Sequence, residues 1–181
     1  MKRIVSASIC TFLILYGLQA ACVGRERNGV EKEFEIDVPD QSVQAPPFVL
    51  RDMQNGSFDL EEHRRKVVLI NFWATWCVLC VHELPSFQRL KERIADDQFE
   101  IVAVNVQDTI DRVQRYLADK SYTLPFARDP QGKISRTYGV RALPTTFIVD
   151  AQGRLVGRVI GDRKWDDPKL VEYLKRLLDA K

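Results

Sequence analysis

The most constraining feature of this chain is a pair of cysteines placed where a buried strand is followed by a helix. Residues 67–72 form a continuous apolar run, which is typical of a central strand covered on both faces. Cys77 and Cys80 come a few residues later. Apolar side chains then recur at helical spacing at Leu84, Phe87, Leu90 and Ile94. The sequence therefore predicts that both cysteines lie at the N-terminus of a helix that packs against this strand.

The predicted position of Cys77 changes the chemistry of its thiol. At a helix N-terminus the aligned peptide dipoles and the unpaired backbone N–H groups stabilise a thiolate, which lowers the thiol pKa from about 8.5 toward 7 or below. Cys77 is therefore the candidate nucleophile. Cys80 lies three residues further on, within disulfide reach but deeper in the first turn, and is the candidate resolving thiol. Together they can form a redox-active disulfide that exchanges with another disulfide.

The rest of the domain alternates strands and helices. One hairpin is predicted over residues 48–60, around the turn signal Asn55-Gly56, and a second over residues 146–160. The remaining predicted elements are a buried strand over residues 99–106, a helix carrying Ile110, Val113 and Leu117, a helix that starts at Asp129-Pro130, and a closing helix striped by Leu170, Leu174, Leu177 and Leu178. This order predicts an α/β domain with a mixed central sheet and helices on both faces.

Charge and composition exclude several classes of function. The chain carries 27 Lys and Arg against 25 Asp and Glu, and Lys2 and Arg3 account for the excess. A domain without net charge lacks the basic patch of a nucleic-acid-binding protein, so we expect no nucleic-acid partner. The chain has 2 His and neither a Cys/His array nor a second Cys-x-x-Cys pair, so the sequence offers little for a structural zinc site. The sequence also lacks a Gly-rich phosphate loop, so we expect neither a metal nor a cofactor. We expect the protein to be a monomer.

The first 22 residues are typical of an export signal. Lys2 and Arg3 precede an apolar run over residues 4–18, and small residues lead to Cys22. The chain is therefore expected to work outside the cytoplasm, in a bacterial periplasm or on the outer face of the membrane. Three forms of the segment remain open, namely lipidation at Cys22, an uncleaved membrane anchor and a cleaved signal. Contact with the membrane is expected through this segment alone.

The remaining chain divides into a linker and a domain. Residues 23–45 are charged and weakly patterned, as is typical of a tether. Residues 46–181 are long enough to bury a core without additional disulfides. The predicted organisation is therefore an export segment over residues 1–22, a tether and one folded domain.

A Cys-x-x-Cys pair does not by itself fix the chemistry. Haem attachment requires His directly after the second cysteine, where this chain has Val81. A copper-binding module or chaperone could use Cys77, Cys80 and His82. A thiol peroxidase could use Cys77, although the Pro-x-x-x-Thr/Ser-x-x-Cys setting of a peroxidatic cysteine is absent. Both functions stand beside thiol-disulfide exchange as alternatives.

Three separated motifs resemble those of one known family. They are Asn71-Phe72-Trp73-Ala74-Thr75-Trp76-Cys77-Val78-Leu79-Cys80, then Glu83-Leu84-Pro85, and later Gly139-Val140-Arg141-Ala142-Leu143-Pro144-Thr145-Thr146-Phe147-Ile148-Val149-Asp150. The chain resembles the membrane-anchored, extracytoplasmic thioredoxin-like proteins of the TlpA/ResA type over about residues 45 to 179. The resemblance implies a thioredoxin-like fold with an N-terminal β-hairpin and a central insertion near residues 107–127.

The resemblance also implies roles for individual residues. Pro144 matches the cis-proline of the family, which lies beside the cysteine pair and leaves the backbone of Leu143 free to bind a substrate peptide. Asn71 and Glu83 match an amide and an acid found in the extracytoplasmic members, and Glu83 is expected to handle the proton of the cysteine pair. Trp76 is expected to be exposed beside the site and to contact substrate.

One position departs from the family pattern. Leu79 stands where the family usually has Pro, directly before the second cysteine. Unlike Pro, Leu keeps its backbone N–H, and we expect this group to point toward the Cys77 thiolate. The departure leaves the redox potential and the choice of substrate open.

These observations predict a thiol-disulfide oxidoreductase. The resemblance implies that it reduces disulfides of exported proteins such as apocytochrome c or copper-site proteins. Because the compartment is oxidising, a membrane thiol electron donor would have to reduce the cysteine pair again after each turnover.

Overall fold

A computed structural model describes residues 28–180. The strands are β1 (Val43–Gln44), β2 (Val49–Arg51), β3 (Ser57–Asp59), β4 (Val67–Trp73), β5 (Phe99–Val106), β6 (Phe126–Asp129), β7 (Thr145–Val149) and β8 (Arg154–Ile160). The helices are α1 (Gly29–Glu33), α2 (Val78–Ile94), α3 (Ile110–Leu117), α4 (Lys133–Thr137) and α5 (Pro168–Asp179), with a 3₁₀ turn over Leu60–His63. Across residues 28–180, no helix has the length and apolar character needed to cross a membrane.

The central sheet is mixed, as predicted. Its six strands run in the order β1-β8-β7-β4-β5-β6, and β2 pairs with β3 in a separate hairpin. Strand β4 pairs in parallel with β5 and antiparallel with β7, so that Phe72 lies opposite Thr145. Because β7 runs against β4, its first residue lies at the end of β4. The residues that precede β7 and the loop that leaves β4 therefore lie at the same edge of the sheet.

Both faces of the sheet are covered. All seven residues of β4 are buried, and their side chains alternate between two apolar clusters. Val67, Leu69 and Trp73 pack with side chains of α2, α3 and α5. Val68 and Ile70, on the opposite face, pack with the β2–β3 hairpin and with residues around α4. This arrangement confirms the predicted α/β class with helices on both faces.

The N-terminal part of the domain differs from the prediction. Residues 29–45 lie within the predicted tether, yet Phe34 and Ile36 are buried in the core. Asp37 exchanges backbone hydrogen bonds with Arg158 of β8, and β1 adds a further strand beside β8. The folded unit therefore extends at least to residue 28. The predicted export segment, with Cys22, lies outside the described residues.

Room for Ile36 depends on a glycine in the neighbouring strand. A Cβ atom at Gly157 would lie 2.8 Å from Ile36 Cγ2 and 3.0 Å from Ile148 Cδ1, closer than such atoms pack. The absence of a side chain at Gly157 thus lets the N-terminal segment lie directly on β8.

The start of α4 also differs from the prediction. Asp129 ends β6, and α4 begins at Lys133 rather than at Pro130. The Asp129 carboxylate still caps the helix, because it accepts the backbone N–H groups of Lys133 and Ser135, each at 2.8 Å. The predicted N-cap residue is wrong, since Gly132 takes that place and α4 starts three residues later than predicted.

We expect Ile36→Ala to destabilise the protein by about 2–4 kcal/mol, because it removes a fully buried side chain from the core. Urea unfolding of the full chain measures this change. Val43→Ala is the matched control in the same segment. Because Val43 is exposed, this substitution should lower the free energy of unfolding by less than about 0.5 kcal/mol. Equal, small effects of both substitutions would show that residues 29–45 do not contribute to the fold.

Candidate active site

The two cysteines form a disulfide at the start of α2. Cys77 is the N-cap residue of this helix, Cys80 lies in its first turn, and their Cα atoms are 5.2 Å apart. Cys77 remains 8% exposed, whereas Cys80 is 0% exposed. Of the two cysteines, Cys77 alone therefore has surface that an attacking molecule can reach.

The Cys77 sulfur accepts one backbone hydrogen bond in the disulfide form. The donor is the N–H of Cys80, at 3.2 Å, and the expected additional donor to the thiolate, the N–H of Leu79, stays a prediction for the reduced form. An N-cap side chain accepts from the second or the third helical residue, and Cys80 is the third. Leu79 is half exposed beside the pair.

Asp108 holds the loop that leads from β4 to Cys77, a role that the sequence did not indicate. Its buried carboxylate accepts the Thr75 N–H at 2.7 Å, the Thr75 hydroxyl at 3.0 Å and the Asn105 amide at 2.9 Å. Thr75 lies two residues before Cys77, so these bonds fix the backbone that places the nucleophile. The partners are 33 residues apart in the sequence, and no local pattern links them.

Glu83 is buried behind the disulfide, with only 1% of its surface exposed. Its carboxylate accepts three hydrogen bonds, from Asn71 Nδ2 at 2.7 Å, Trp165 Nε1 at 2.9 Å and the Arg163 N–H at 3.2 Å. Burial raises the pKa of Glu83 to about 7, and the nearby Asp162 carboxylate raises it as well, while the three donors oppose this rise. Glu83 can therefore take up or release a proton near neutral pH.

The segment before α5 holds Glu83 in place. Trp165 is fully buried, stacks on Phe87 with ring centroids 4.8 Å apart, and donates its indole N–H to Glu83. Its backbone N–H donates to the Ser86 hydroxyl at 3.1 Å. Arg89 anchors the next residue, Asp166, at 2.7 Å. Sequence reasoning assigned Trp165 no role, and the only available signal was its position in the segment that resembles the family.

The residues expected to contact substrate lie at the same edge of the sheet. The Leu143–Pro144 peptide bond is cis, as the resemblance implies, and it directly precedes β7. Trp76 is 63% exposed, and Trp76 and Leu143 line one cleft of about 430 Å³. Asn71 connects this edge to the interior, because its amide also donates to the Thr146 hydroxyl of β7 at 3.0 Å.

His82 is not brought together with the cysteines as a third ligand. Its side chain is 77% exposed, and its Nδ1 lies 3.1 Å from Asp162 Oδ2. Within the described part of the chain, no three His, Cys, Asp or Glu side chains are grouped so that they could hold a metal ion. The geometry gives no support to the copper-site alternative.

Comparisons with known proteins agree with this arrangement. A family model described as the AhpC/TSA family matches residues 42–158. The thiol-disulfide oxidoreductase ResA of Bacillus thuringiensis subsp. konkukian (strain 97-27) is 33% identical over 74% of this chain and 76% of its own length. ResA of Geobacillus thermodenitrificans (strain NG80-2) is 35% identical over 69% of this chain and 72% of its own length. The chain belongs to the ResA family of thiol-disulfide oxidoreductases.

A solved structure identifies the fold of this ResA-family protein. The crystal structure of a thiol:disulfide interchange protein of the thioredoxin family from Chlorobium tepidum TLS superposes with a TM-score of 0.67 at 25% identity. The match covers 76% of this chain and 97% of the other. The thioredoxin-like fold is thereby confirmed. The protein is an oxidoreductase that performs thiol-disulfide exchange through a Cys-x-x-Cys pair.

We expect the stability difference between the protein and its Glu83→Gln variant to depend on pH. The buried acid keeps its proton up to about pH 7, whereas in the unfolded chain it ionises near 4.5. The folded state therefore binds more protons than the unfolded state in this window. As the pH rises from 4.5 to above 7, the free energy of unfolding of the wild-type protein falls by about 3 kcal/mol relative to that of the variant. Chemical denaturation of both oxidised proteins across this range measures the loss, and a difference that stays constant with pH would contradict it.

Trp165→Phe is expected to raise the pKa of Glu83 by about one unit, because the ionised carboxylate loses a donor while the stacked ring is kept. Carbon-13 NMR titration of the Glu83 carboxyl group measures this pKa. Phe87→Leu is the control, since it removes the stacking partner and leaves the indole N–H in place. A pKa that rises equally in both variants would mean that packing, and not the N–H, is responsible.

Proposed function

We propose that this protein reduces disulfides of exported proteins outside the cytoplasm. The observation that carries the proposal is the unequal exposure of the two cysteines, since Cys77 keeps 8% of its surface exposed and Cys80 keeps none. Disulfide transfer between proteins requires an accessible thiol that attacks and a protected thiol that resolves, and the start of α2 supplies both.

In the proposed cycle the reduced protein begins with a Cys77 thiolate. This thiolate attacks one sulfur of a client disulfide, forms a mixed disulfide and releases the first client thiolate, which takes up a proton. The Cys80 thiolate then attacks the Cys77 sulfur and releases the second client thiolate. Two electrons pass to the client, which ends as a dithiol, and the protein ends with the Cys77–Cys80 disulfide found in the structure.

Glu83 is proposed to act as the proton acceptor for Cys80. It follows Cys80 by three residues on α2, so the two side chains share one side of the helix. Cys80 has no exposure to solvent that could remove its proton directly. A carboxylate whose pKa lies at about 7 can accept this proton at neutral pH and release it later, which supports the assignment.

Leu143 and Pro144 are proposed to hold the client chain. Pro144 lacks an N–H and ends the segment before β7, so the backbone of Leu143 is available to pair with an extended peptide. Trp76, exposed on the other side of the cleft, is proposed to pack against the same peptide. The client classes implied by the resemblance are apocytochrome c and copper-site proteins.

The cellular setting is part of the proposal. The pattern of residues 1–22 supports export, with Cys22 as a candidate lipidation site that would hold the domain at the membrane. Residues up to 27 would then connect this segment to the domain. A monomeric domain in an oxidising compartment would be reduced again by a membrane thiol donor.

The roles of the two cysteines are tested by trapping a client on single variants of the full chain. We expect reduced Cys80→Ser to form a lasting mixed disulfide with insulin, because no resolving thiol is present, and Cys77→Ser to form none. Non-reducing gel electrophoresis detects the adduct. The Cys77→Ser/Cys80→Ser double variant gives the background from Cys10 and Cys22. Trapping in the reverse pattern would overturn the assignment.

The direction of electron flow is tested on the same preparation. Equilibration of the wild-type protein in glutathione buffers is expected to give a reduction potential more negative than about −200 mV, since a reductant of client disulfides must release its electrons readily. A potential near that of strong oxidants, about −120 mV, would reverse the proposed direction while leaving thiol-disulfide exchange intact.

A further inference from the structure

The cleft beside the disulfide carries a charge that the thiol chemistry does not require. Trp76, Val140 and Leu143 form its apolar surface, and Arg136 and Arg141 line it as well. Its volume of about 430 Å³ lies in the range of roughly 300–1,000 Å³ that is usual for ligand clefts. None of the lining residues is an aspartate or a glutamate.

Both arginines are exposed and lack a carboxylate partner within residues 28–180. Arg136 donates through Nη1 to the Gln131 carbonyl oxygen at 2.8 Å, which holds its guanidinium group beside the cleft. Arg141 lies on the segment that leads to Leu143. An incoming molecule therefore meets two cations that are still free to pair.

The acidic side chains of the neighbouring loops turn away from the cleft. Asp108 follows the lining residue Gln107, but its carboxylate is buried and accepts the bonds from Thr75 and Asn105. Asp129 is buried as well, and its two oxygens accept backbone N–H groups of α4. These two carboxylates are engaged within the fold, and the lining of the cleft is left with two arginines and no carboxylate.

We propose that this cleft selects client proteins that carry Asp or Glu residues close to the reacting cysteine. The proposal rests on the proposed function, because it concerns the polypeptide whose disulfide is reduced. A polypeptide occupant follows from position, since the cleft joins Trp76, directly before Cys77, to Leu143, directly before Pro144. The apolar surface would hold the client backbone and side chains, while the two guanidinium groups would pair with its carboxylates.

Electrostatic complementarity at an exposed site acts mainly on the rate of association. Opposite charges steer the encounter, and like charges placed at the same positions oppose it. Salt screens such interactions, with a Debye length of about 10 Å at 0.1 M ionic strength. The selectivity should therefore appear in the rate of reduction and should weaken as salt is added.

Three synthetic peptides test the inference on the reduced full-length protein. Each carries the same intramolecular disulfide, with two Glu, two Gln or two Lys residues at matched positions beside one cysteine. We expect the Glu peptide to be reduced about 3- to 10-fold faster than the Gln peptide at low salt, and the Lys peptide to be slowest. At about 0.5 M NaCl the three rates should converge.

Variants assign the preference to the cleft. Arg136→Gln/Arg141→Gln should bring the ratio of Glu to Gln peptide rates close to one, and Arg141→Glu should shift the preference toward the Lys peptide. Lys175→Gln is the matched control, because it removes an exposed cation of α5 that does not line the cleft. The ratio of Glu to Gln peptide rates in Lys175→Gln should equal the ratio in the wild-type protein.

The outcomes separate the inference from the proposed function. If all three peptides and the neutral hydroxyethyl disulfide are reduced, but the peptide rates are equal at low salt, the charge selectivity is overturned and disulfide reduction stands. If the ratio falls as much in Lys175→Gln as in the double arginine variant, net charge is responsible and the cleft assignment fails. If neither the peptides nor the small disulfide are reduced, the proposed function fails, and the inference fails with it.

Discussion

The central strand β4 is hydrogen-bonded along both edges and buried on both faces, and the site depends on this placement. A shift of its pairing by one residue would turn Asn71 and Trp73 to the opposite face, so the two apolar clusters fix the register. The end of β4 then fixes where the loop that leads to Cys77 begins. Because β7 runs antiparallel beside it, the Leu143–Pro144 peptide lies at the same edge, and the thiol pair and the proposed client-binding backbone share a single rigid support.

A second constraint is the carboxylate of Glu83 inside the core. An ionised carboxylate is costly to bury, and it is tolerated here because donors arrive from two other parts of the fold, Asn71 from β4 and Trp165 with Arg163 from the segment before α5. Burial raises the pKa of Glu83 and the hydrogen-bond donors lower it, and the resulting pKa is about 7. Proton handling at this site is thus a property of tertiary packing, since Glu83 on an isolated helix would titrate like any other glutamate.

The site separates two environments across a single helical turn. Cys77 keeps some exposure and directly follows Trp76, which lines the positive cleft, whereas Cys80 is fully buried on the helix that carries Glu83. In the proposed cycle, attack on the client takes place where a leaving thiolate can be solvated. Resolution takes place where solvent is excluded and a built-in base is available. In this proposal, client selection and proton transfer would respond to substitutions on different sides of the turn.

The sequence by itself determined the strand-to-helix junction, the cysteine pair and the alternation of elements, because apolar periodicity and helix-end chemistry are local. The resemblance added Glu83 and Pro144 as candidates. Tertiary structure decided that Phe34 and Ile36 join the core. Apolar and charged residues alternate over residues 34–38, but this short pattern does not say which surface covers the apolar side, and β8 supplies that surface beside Gly157. It also decided the partners of Thr75 and Glu83, which lie 33 and 82 residues away at Asp108 and Trp165. Periodicity states which side of an element is apolar, but the order of strands in the sheet determines which distant side chains meet there.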